Sequence, residues 1–411
     1  MGAFFFSSRN YTFTRAVQTC RLFCTYGCSL AFAQEAPRAL EASPPPTASA
    51  NPSHVRFVDE SPPHTSTTNP QPPIEFHALL AATAQQMENA GDTHTPASGK
   101  GLFTFQPEVS YTPTEQDEFF AKFGFSAGNG LNPIAPFTLT TWAADGEDDV
   151  KDINGRNRDY LLTAWYRHLF ELPHDQTLNL SLGIIDATDT IDENAYANDE
   201  FTQFMNEALV NAPNAYLPSY DVGAAAEWEK NRLSLRGVLM DVGENDNGQG
   251  YLFGAAQAGL RHDSDLGEGN LRIILGGTSA DFEAPDGGQG ERKKLAMISA
   301  DQALGKQLGA FVRIGWQDDE AAIDFQSLAS GGLTLAGNSW GRCKDTVGLG
   351  MAYLEGGNCS CENSWVSEWY YRAQLGEFFA MTADLQYIQD ELEDEPGHEH
   401  VILGLRAVVE F

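Results

Sequence analysis

The chain has 411 residues, with 25 Lys plus Arg against 57 Asp plus Glu and a formal net charge of -32. A charge this negative argues against nucleic acid, because phosphate binding needs a basic stripe, and against docking on anionic headgroups through Lys and Arg. No apolar run long enough for a transmembrane helix follows the first forty positions, which leaves a soluble protein or an outer-membrane barrel, whose polar inner face hides it from average hydropathy.

Residues 1–33 contain no acid and three bases, Arg9, Arg15 and Arg21. A mostly apolar stretch, Leu22 to Ala33, ends in Ala31-Phe32-Ala33 and fits the small-residue rule for leader cleavage. It reads as a secretory signal, with Gln34 as the mature N-terminus. Residues 34–98 read as a Pro-rich periplasmic spacer, carrying Pro44-Pro45-Pro46, Pro62-Pro63, Pro70, Pro72 and Pro73. Such a composition buries no core. Within the spacer, Glu75 to Ala90 predicts a short helix with Leu79, Leu80 and Met87 as its apolar members.

Residues 99–411 form a series of segments with period-2 alternation. Leu178, Leu180, Leu182 and Ile184 share one face of a segment whose other face is Thr177, Asn179, Ser181 and Gly183. At the end of the chain, Val401, Leu403, Leu405, Ala407, Val409 and Phe411 alternate with a face carrying Gly404, Arg406 and Glu410. Side chains alternate across a strand, so each segment has one apolar face. Weaker segments lie near 136–142, 294–302 and 332–339. About sixteen segments of about 9 to 11 residues suit tilted membrane strands. Aromatics near segment ends, such as Tyr166, Phe170, Trp228, Trp316, Trp340, Tyr353, Trp365 and Tyr387, suit interfacial girdles. Tight connections such as Glu229-Lys230-Asn231-Arg232 alternate with long acidic ones over 143–159, 186–220, 242–250, 280–293 and 389–400, the short-turn and long-loop pattern of bacterial barrels. The expected fold is all-β: a transmembrane antiparallel β-barrel of sixteen strands with long acidic extracellular loops. The chain stops on Phe411 inside a strand, a feature of outer-membrane barrels, whose last strand is read during assembly.

Other chemistries find little support. The leader removed, three cysteines remain, Cys343, Cys359 and Cys361. An odd number excludes a fully paired framework, though Cys343 could close a loop with Cys359 or Cys361. His398-Glu399-His400 has no further metal ligand beside it. Asp152-Ile153-Asn154-Gly155 fails the EF-hand spacing, with Val150 and Leu161 at ligand positions. No G-x-S-x-G elbow is present. His168 and His262 carry no pairing signal for hydrolysis. No cofactor and no metal is implied.

From about Asp145 to Phe411 the chain resembles the OprB-like family of carbohydrate-selective porins. The residues that carry the resemblance are Leu161-Leu162-Thr163-Ala164-Trp165-Tyr166, then Leu182-Gly183-Ile184-Ile185-Asp186 and the acidic, aromatic Asp192-Glu193-Asn194-Ala195-Tyr196-Ala197-Asn198-Asp199-Glu200-Phe201. Leu217-Pro218-Ser219-Tyr220-Asp221, Glu368-Trp369-Tyr370-Tyr371-Arg372, Leu385-Gln386-Tyr387-Ile388 and the closing Gly404 to Phe411 follow in family order. The family's Trp- and Gly-rich first strands have no counterpart here; the Pro-rich segment takes their place. The resemblance implies a sixteen-stranded barrel in the outer membrane of a Gram-negative cell that passes sugars by diffusion.

A sugar pore needs hydrogen-bonding groups that replace the solute's water yet let it leave. The polar strand faces offer Glu108, Lys122, Asn179 and Asp384, and, as pore-lining and solute-binding candidates, Arg167, Arg236, Arg272, Arg313, Glu368, Arg372, Gln386 and Arg406. The segment Asp186 to Tyr220 is expected to fold inward and narrow the lumen, with a helical stretch from Asp199 to Val210. Expected partners are small hydrophilic solutes, sugars first, outer-membrane lipid and lipopolysaccharide, the barrel assembly machinery acting on Phe411, and two further copies in a homotrimer. The alternatives are a general cation-preferring porin without a sugar site, a barrel enzyme, and a secreted acidic β-protein.

Overall fold

The computed structural model describes residues 73–89, 97–243, 249–284, 288, 290–359, 361–393 and 396–411. The leader over 1–33, the spacer up to residue 72, and parts of the connections at 242–250, 280–293 and 389–400 lie outside the described residues.

The strands are β1 (Ile74–Asn89), β2 (Ser98–Tyr111), β3 (Asp117–Phe123), β4 (Phe125–Ala127), β5 (Leu161–Leu172) and β6 (Gln176–Ile185). They continue with β7 (Asp221–Lys230), β8 (Leu233–Val242), β9 (Tyr251–Ser264), β10 (Gly267–Thr278), β11 (Lys294–Leu304) and β12 (Leu308–Gln317). The last five are β13 (Phe325–Ala336), β14 (Thr346–Gly356), β15 (Cys361–Gln374), β16 (Phe379–Leu392) and β17 (His398–Glu410). β3 and β4 both pair with β2 and are two pieces of one strand broken at Gly124. The seventeen segments therefore make sixteen staves. Neighbours in sequence pair antiparallel, and β1 pairs with β17 to close the cylinder.

Closure is what hydrocarbon demands, since every backbone N–H and C=O must find a partner there. The alternation expected from sequence governs the faces. Leu182, Leu235, Leu239, Leu275, Ile314, Trp369 and Leu403 are exposed on the outside. Ser181, Arg272, Arg313, Glu368, Gln386 and Arg406 are buried on the inside. A continuous apolar exterior of this kind belongs in lipid, not water.

Three expectations are corrected. Glu75 to Ala90 is not a helix: Ile74–Asn89 is strand β1, so the barrel begins at Ile74 rather than at 99. Alanine-rich sequence favours helix, but closure overrides propensity. β1 pairs with β17 from Leu79↔Glu410 to Asn89↔His400 and with β2 from Ile74↔Tyr111 to Met87↔Ser98. Residues 136–142 are not a strand, because they belong to a connection folded into the barrel, with Leu139, Thr141 and Trp142 buried. A bond from Cys343 to Cys359 or Cys361 is ruled out by topology. Cys343 precedes β14 and Cys359 follows it, and eleven strand residues span about 35 Å, far beyond disulfide reach. All three thiols are free.

The strand assignment at 74–89 has a direct test. Ala82→Pro removes a ladder donor and clashes where Ala82 lies between Ala407 and Phe103. The variant should lose heat-modifiable migration on a gel, while Ala82→Ser keeps it. Unaltered migration of the proline variant would place this segment outside the barrel.

Candidate functional site

The connection between β6 and β7, residues 186–220, turns inward and lies inside the cylinder. Its own sequence shapes it. The Asp186 carboxylate accepts from the Thr188 amide at 2.8 Å and the Thr188 hydroxyl at 2.7 Å. The Asp199 carboxylate accepts from the Phe201 amide at 2.8 Å. The Asn206 side chain accepts from Ala208 N at 3.0 Å and so caps a single helical turn, Glu207–Val210. The helical part is thus shorter than the expected Asp199–Val210, because residues 199–205 are occupied by the Asp199 turn and by contacts to the wall.

Ile191, Phe204, Leu209 and Val210 of this loop are buried in one apolar cluster with inward residues of the wall, including Met240, Phe253, Ile274, Leu354 and Ile388. The inner face of the barrel is therefore not polar throughout. Apolar wall residues stand where the loop covers them. A Cβ on Gly350 would meet Leu209 Cδ1 and Phe204 Cε1 at 2.8 Å, and a Cβ on Gly315 would meet Asn214 Nδ2 at 2.6 Å. The loop rests on the bare backbone of the wall at both places. The connection between β4 and β5 folds in beside it. Its Thr141 carbonyl accepts from Gln85 Nε2 at 3.0 Å and Gln386 Nε2 at 2.8 Å.

Most of the side chains expected to line the pore point inward and hold this loop. Arg313, fully buried, donates from Nε to the Asp192 carboxylate at 2.5 Å and from Nη1 to the Leu209 carbonyl at 2.7 Å, and also reaches the Ala197 carbonyl. The Glu368 carboxylate accepts from the Met205 amide at 2.5 Å and the Asn206 amide at 2.8 Å. Gln386 Oε1 accepts from Asn206 Nδ2 at 3.1 Å. Arg406 donates to the Gln203 carbonyl at 2.8 Å and to the Glu200 carbonyl. Arg236 bonds the Thr190 carbonyl at 3.2 Å and pairs with Glu193. Arg272 pairs with Asp301 at 2.6 Å, and Asp301 also accepts from the loop amide of Ala195 at 3.3 Å. Arg372 lies apart, bonded to Gln374 at 2.8 Å and 3.9 Å from Glu410.

Beside the loop a cavity of about 470 Å³ remains. Glu108, Lys122, Trp165, Arg167 and Ser181 form part of its wall, and Asp186, Asp189, Glu193, Asp199 and Glu200 of the loop face them. Of the eight candidates, Arg167 alone borders this cavity. Its guanidinium lies over the Trp165 ring, 4.5 Å from the centroid, and donates to Ser181 Oγ at 3.1 Å. Phe120 stacks on Trp165 with centroids 5.0 Å apart. Lys122 stands 3.6 Å from Glu108. Enclosure pushes the Asp189 carboxyl up to about 7, with Asp186 adding to the rise, and the Glu200 carboxyl up to about 8, with Asp199 adding. Asp145 rises to about 6 by enclosure, against the Tyr220 hydroxyl that donates to it at 2.7 Å. These loop acids were not singled out by alternation, which speaks only for strands.

The enzyme candidates are dispersed. His168 is on the outer face, its Nδ1 2.8 Å from Asp117 Oδ1, and His262 bonds Gln302 at 2.7 Å. His398 and His400 both lie in β17, with His400 buried edge-on to Phe137. Among the described residues no group of three His, Cys, Asp or Glu side chains is placed to hold a metal ion.

The family described as carbohydrate-selective porin, OprB family, matches residues 118–411. An uncharacterized protein of Aquifex aeolicus (strain VF5) is 31% identical over 338 residues, covering 82% of this chain and 94% of that protein. The high-pH structure of Pseudomonas putida OprB superposes with a TM-score of 0.63 at 13% identity, over 82% of this chain and 94% of that one. The outer membrane channel DcaP of Acinetobacter baumannii superposes with a TM-score of 0.50 at 9% identity, over 82% and 97%. The two structures share the barrel fold.

Arg313→Ala would leave the buried Asp192 carboxylate without its cation. Breaking a buried pair costs roughly 3 to 5 kcal/mol. Amides of 186–220 should then exchange hydrogen for deuterium faster by roughly a hundredfold to several thousandfold, at about 1.4 kcal/mol per tenfold, while those of β12 and β13 keep their protection. Unchanged exchange in the loop would show that apolar packing alone holds it.

Proposed function

The chain belongs to the OprB family of carbohydrate-selective porins, and from that premise we propose that its loop-narrowed lumen binds sugars weakly as they diffuse through. Family and fold make it an outer-membrane channel for small solutes. Channels of this kind are not enzymes. The sugar site itself rests on one observation: the cavity sets carboxylates of the loop against Lys122 and Arg167 of the wall. A sugar hydroxyl both donates and accepts. Passing between the two rows, it donates to Asp189, Glu193 or Glu200 and accepts from Lys122 or Arg167. Each bond replaces one to water, and none is strong enough to trap the solute. The edges of Trp165 and Phe120 offer apolar surface for the ring's apolar face.

A second reading is a general cation-preferring porin. The excess of carboxylates around the cavity favours it. The remaining elements of the proposal concern the surroundings. Localisation is the Gram-negative outer membrane, with lipopolysaccharide held to the acidic loops through divalent ions, and three copies assemble. Phe411, 60% exposed and closing the seam through its carbonyl to Ala78 N at 2.8 Å, is the group read by the assembly machinery.

Single-channel conductance in a planar bilayer separates the readings. Steps that fall saturably as a neutral sugar is added support the sugar site. Steps that no sugar reduces, with cations carrying the current, support the general porin. The raised loop acids add a pH dependence. A carboxyl pushed upward is neutral below its pKa and charged above it. Lowering the pH from about 9 to about 5.5 should therefore discharge Glu200 and then Asp189, and the cation preference in a salt gradient should fall. An ordinary carboxylate would keep its charge down to about pH 4 to 5. A reversal potential constant across that range would contradict titration of these acids in the path of the ions.

A further inference from the structure

We propose that β1 offers a free strand edge at the barrel rim, Ile74 to His77, and that the segment His54-Val55-Arg56-Phe57-Val58 of the same chain adds to it as a further strand. The inference does not depend on what the channel carries.

The ladder between β1 and β17 ends where Ala78 and Phe411 exchange backbone bonds of 2.8 and 3.1 Å, while the ladder between β1 and β2 runs on to Ile74↔Tyr111. Successive residues of a strand direct their N–H and C=O groups to opposite edges. The Pro73 carbonyl accepts from the Thr112 amide at 2.8 Å, so the odd-numbered residues of β1 bond to β2. Ile74 and Phe76, like Ala78, point theirs to the β17 side, and past Phe411 the ladder gives them no strand. Phe76 is also the most exposed large apolar side chain among the described residues, at 76%, with Ile74 beside it on the outer face. Such an edge is a template for an added strand. It lies at the rim that carries the short connections 112–116, 173–175 and 231–232.

The edge prescribes the chemistry of its occupant. Ile74 and Phe76 make its outer face apolar, and between them Glu75 faces inward, as does Glu410, which borders the cavity. A matching strand therefore alternates apolar, basic, apolar. Residues 34–72 lead directly into this edge and lie outside the described residues. Arg38 and Arg56 are their two bases; Arg38 stands between Pro37 and Ala39, whereas Arg56 stands between Val55 and Phe57. Pro52 and Pro62, which cannot donate to a ladder, bound the run. An antiparallel return would set Val55 opposite Phe76, Arg56 opposite Glu75 and Phe57 opposite Ile74. The residues between, up to Pro73, are ample for that return, since neighbouring strands lie about 4.8 Å apart. The added strand covers the edge and makes this part of the N-terminal segment a piece of the channel rim rather than a free tether.

Cross-linking and amide exchange test this in the full mature chain. With Cys343, Cys359 and Cys361 replaced by alanine, Arg56→Cys with Glu75→Cys places two thiols at a pair whose Cα atoms would be about 4.5 Å apart, within disulfide reach. Thr65→Cys with Glu75→Cys is the control, nearer in sequence and so favoured in an unpaired segment. With oxidised glutathione the first pair should close within one chain roughly tenfold faster or more than the control. In the protein without added cysteines, the Phe76 amide should resist deuterium exchange, and Val55→Pro should speed it roughly tenfold or more. Because position 55 lies outside the barrel wall, this second variant stays informative if the cysteine pair disturbs folding. A control pair that closes as fast, or cross-links between chains in place of those within one, would overturn the proposal. So would a Phe76 amide that exchanges freely in the unaltered protein, or one whose protection survives Val55→Pro and so belongs to another occupant.

Discussion

In hydrocarbon no water is available to an unpaired peptide group, so the sheet must close on itself. That constraint decides more here than any side chain does. It forces Ile74–Asn89, a segment rich in alanine, to be a strand, because β2 and β17 would otherwise each present an open edge. It sets which residue faces lipid and which faces inward, since the register of β17 on β1 fixes the alternation of both. It also leaves a hollow interior, which the protein must either fill or use.

The interior is partly filled and partly used. Two connections fold in, and their apolar residues build a core against inward-facing Met240, Phe253, Ile274 and Leu354. This core is made of buried apolar side chains like that of a soluble domain, but it sits inside a cylinder whose outside is also apolar. Buried ionic groups pin it. Arg313 joins Asp192, Ala197 and Leu209, three points spread over the loop, so one side chain fixes the position of many residues. A buried pair of this sort adds little net stability over a well-packed apolar substitute. Its value is placement. By holding the loop to one arc, the clamps define the shape and charge of the cavity on the other.

Much of this was legible in the sequence, and the reason is periodicity. Strands with strong alternation, such as those ending at Ile185 and at Glu410, declare both their existence and their inner face. The bounds of the inward loop also emerged, because an acidic, aromatic stretch between two alternating segments has no place in a strand. β1 was hidden because alanine suits either face and either structure. The inward direction of Arg313 and Arg406 was readable from alternation, but their partners were not. Arg313 and Asp192 are 121 positions apart and meet only once the barrel has closed. The acids that border the cavity, Asp189 and Glu200, lie in a loop, where no period marks which way a side chain turns.

The most direct test of the account is an experimental structure of the protein grown with a neutral sugar at high concentration. The sugar should be found between Lys122 and Arg167 on the wall and the carboxylates of residues 186–200, with the loop inside the barrel and Arg313 on Asp192. Sugar lying against β12 to β16, or a loop turned out of the barrel, would contradict it.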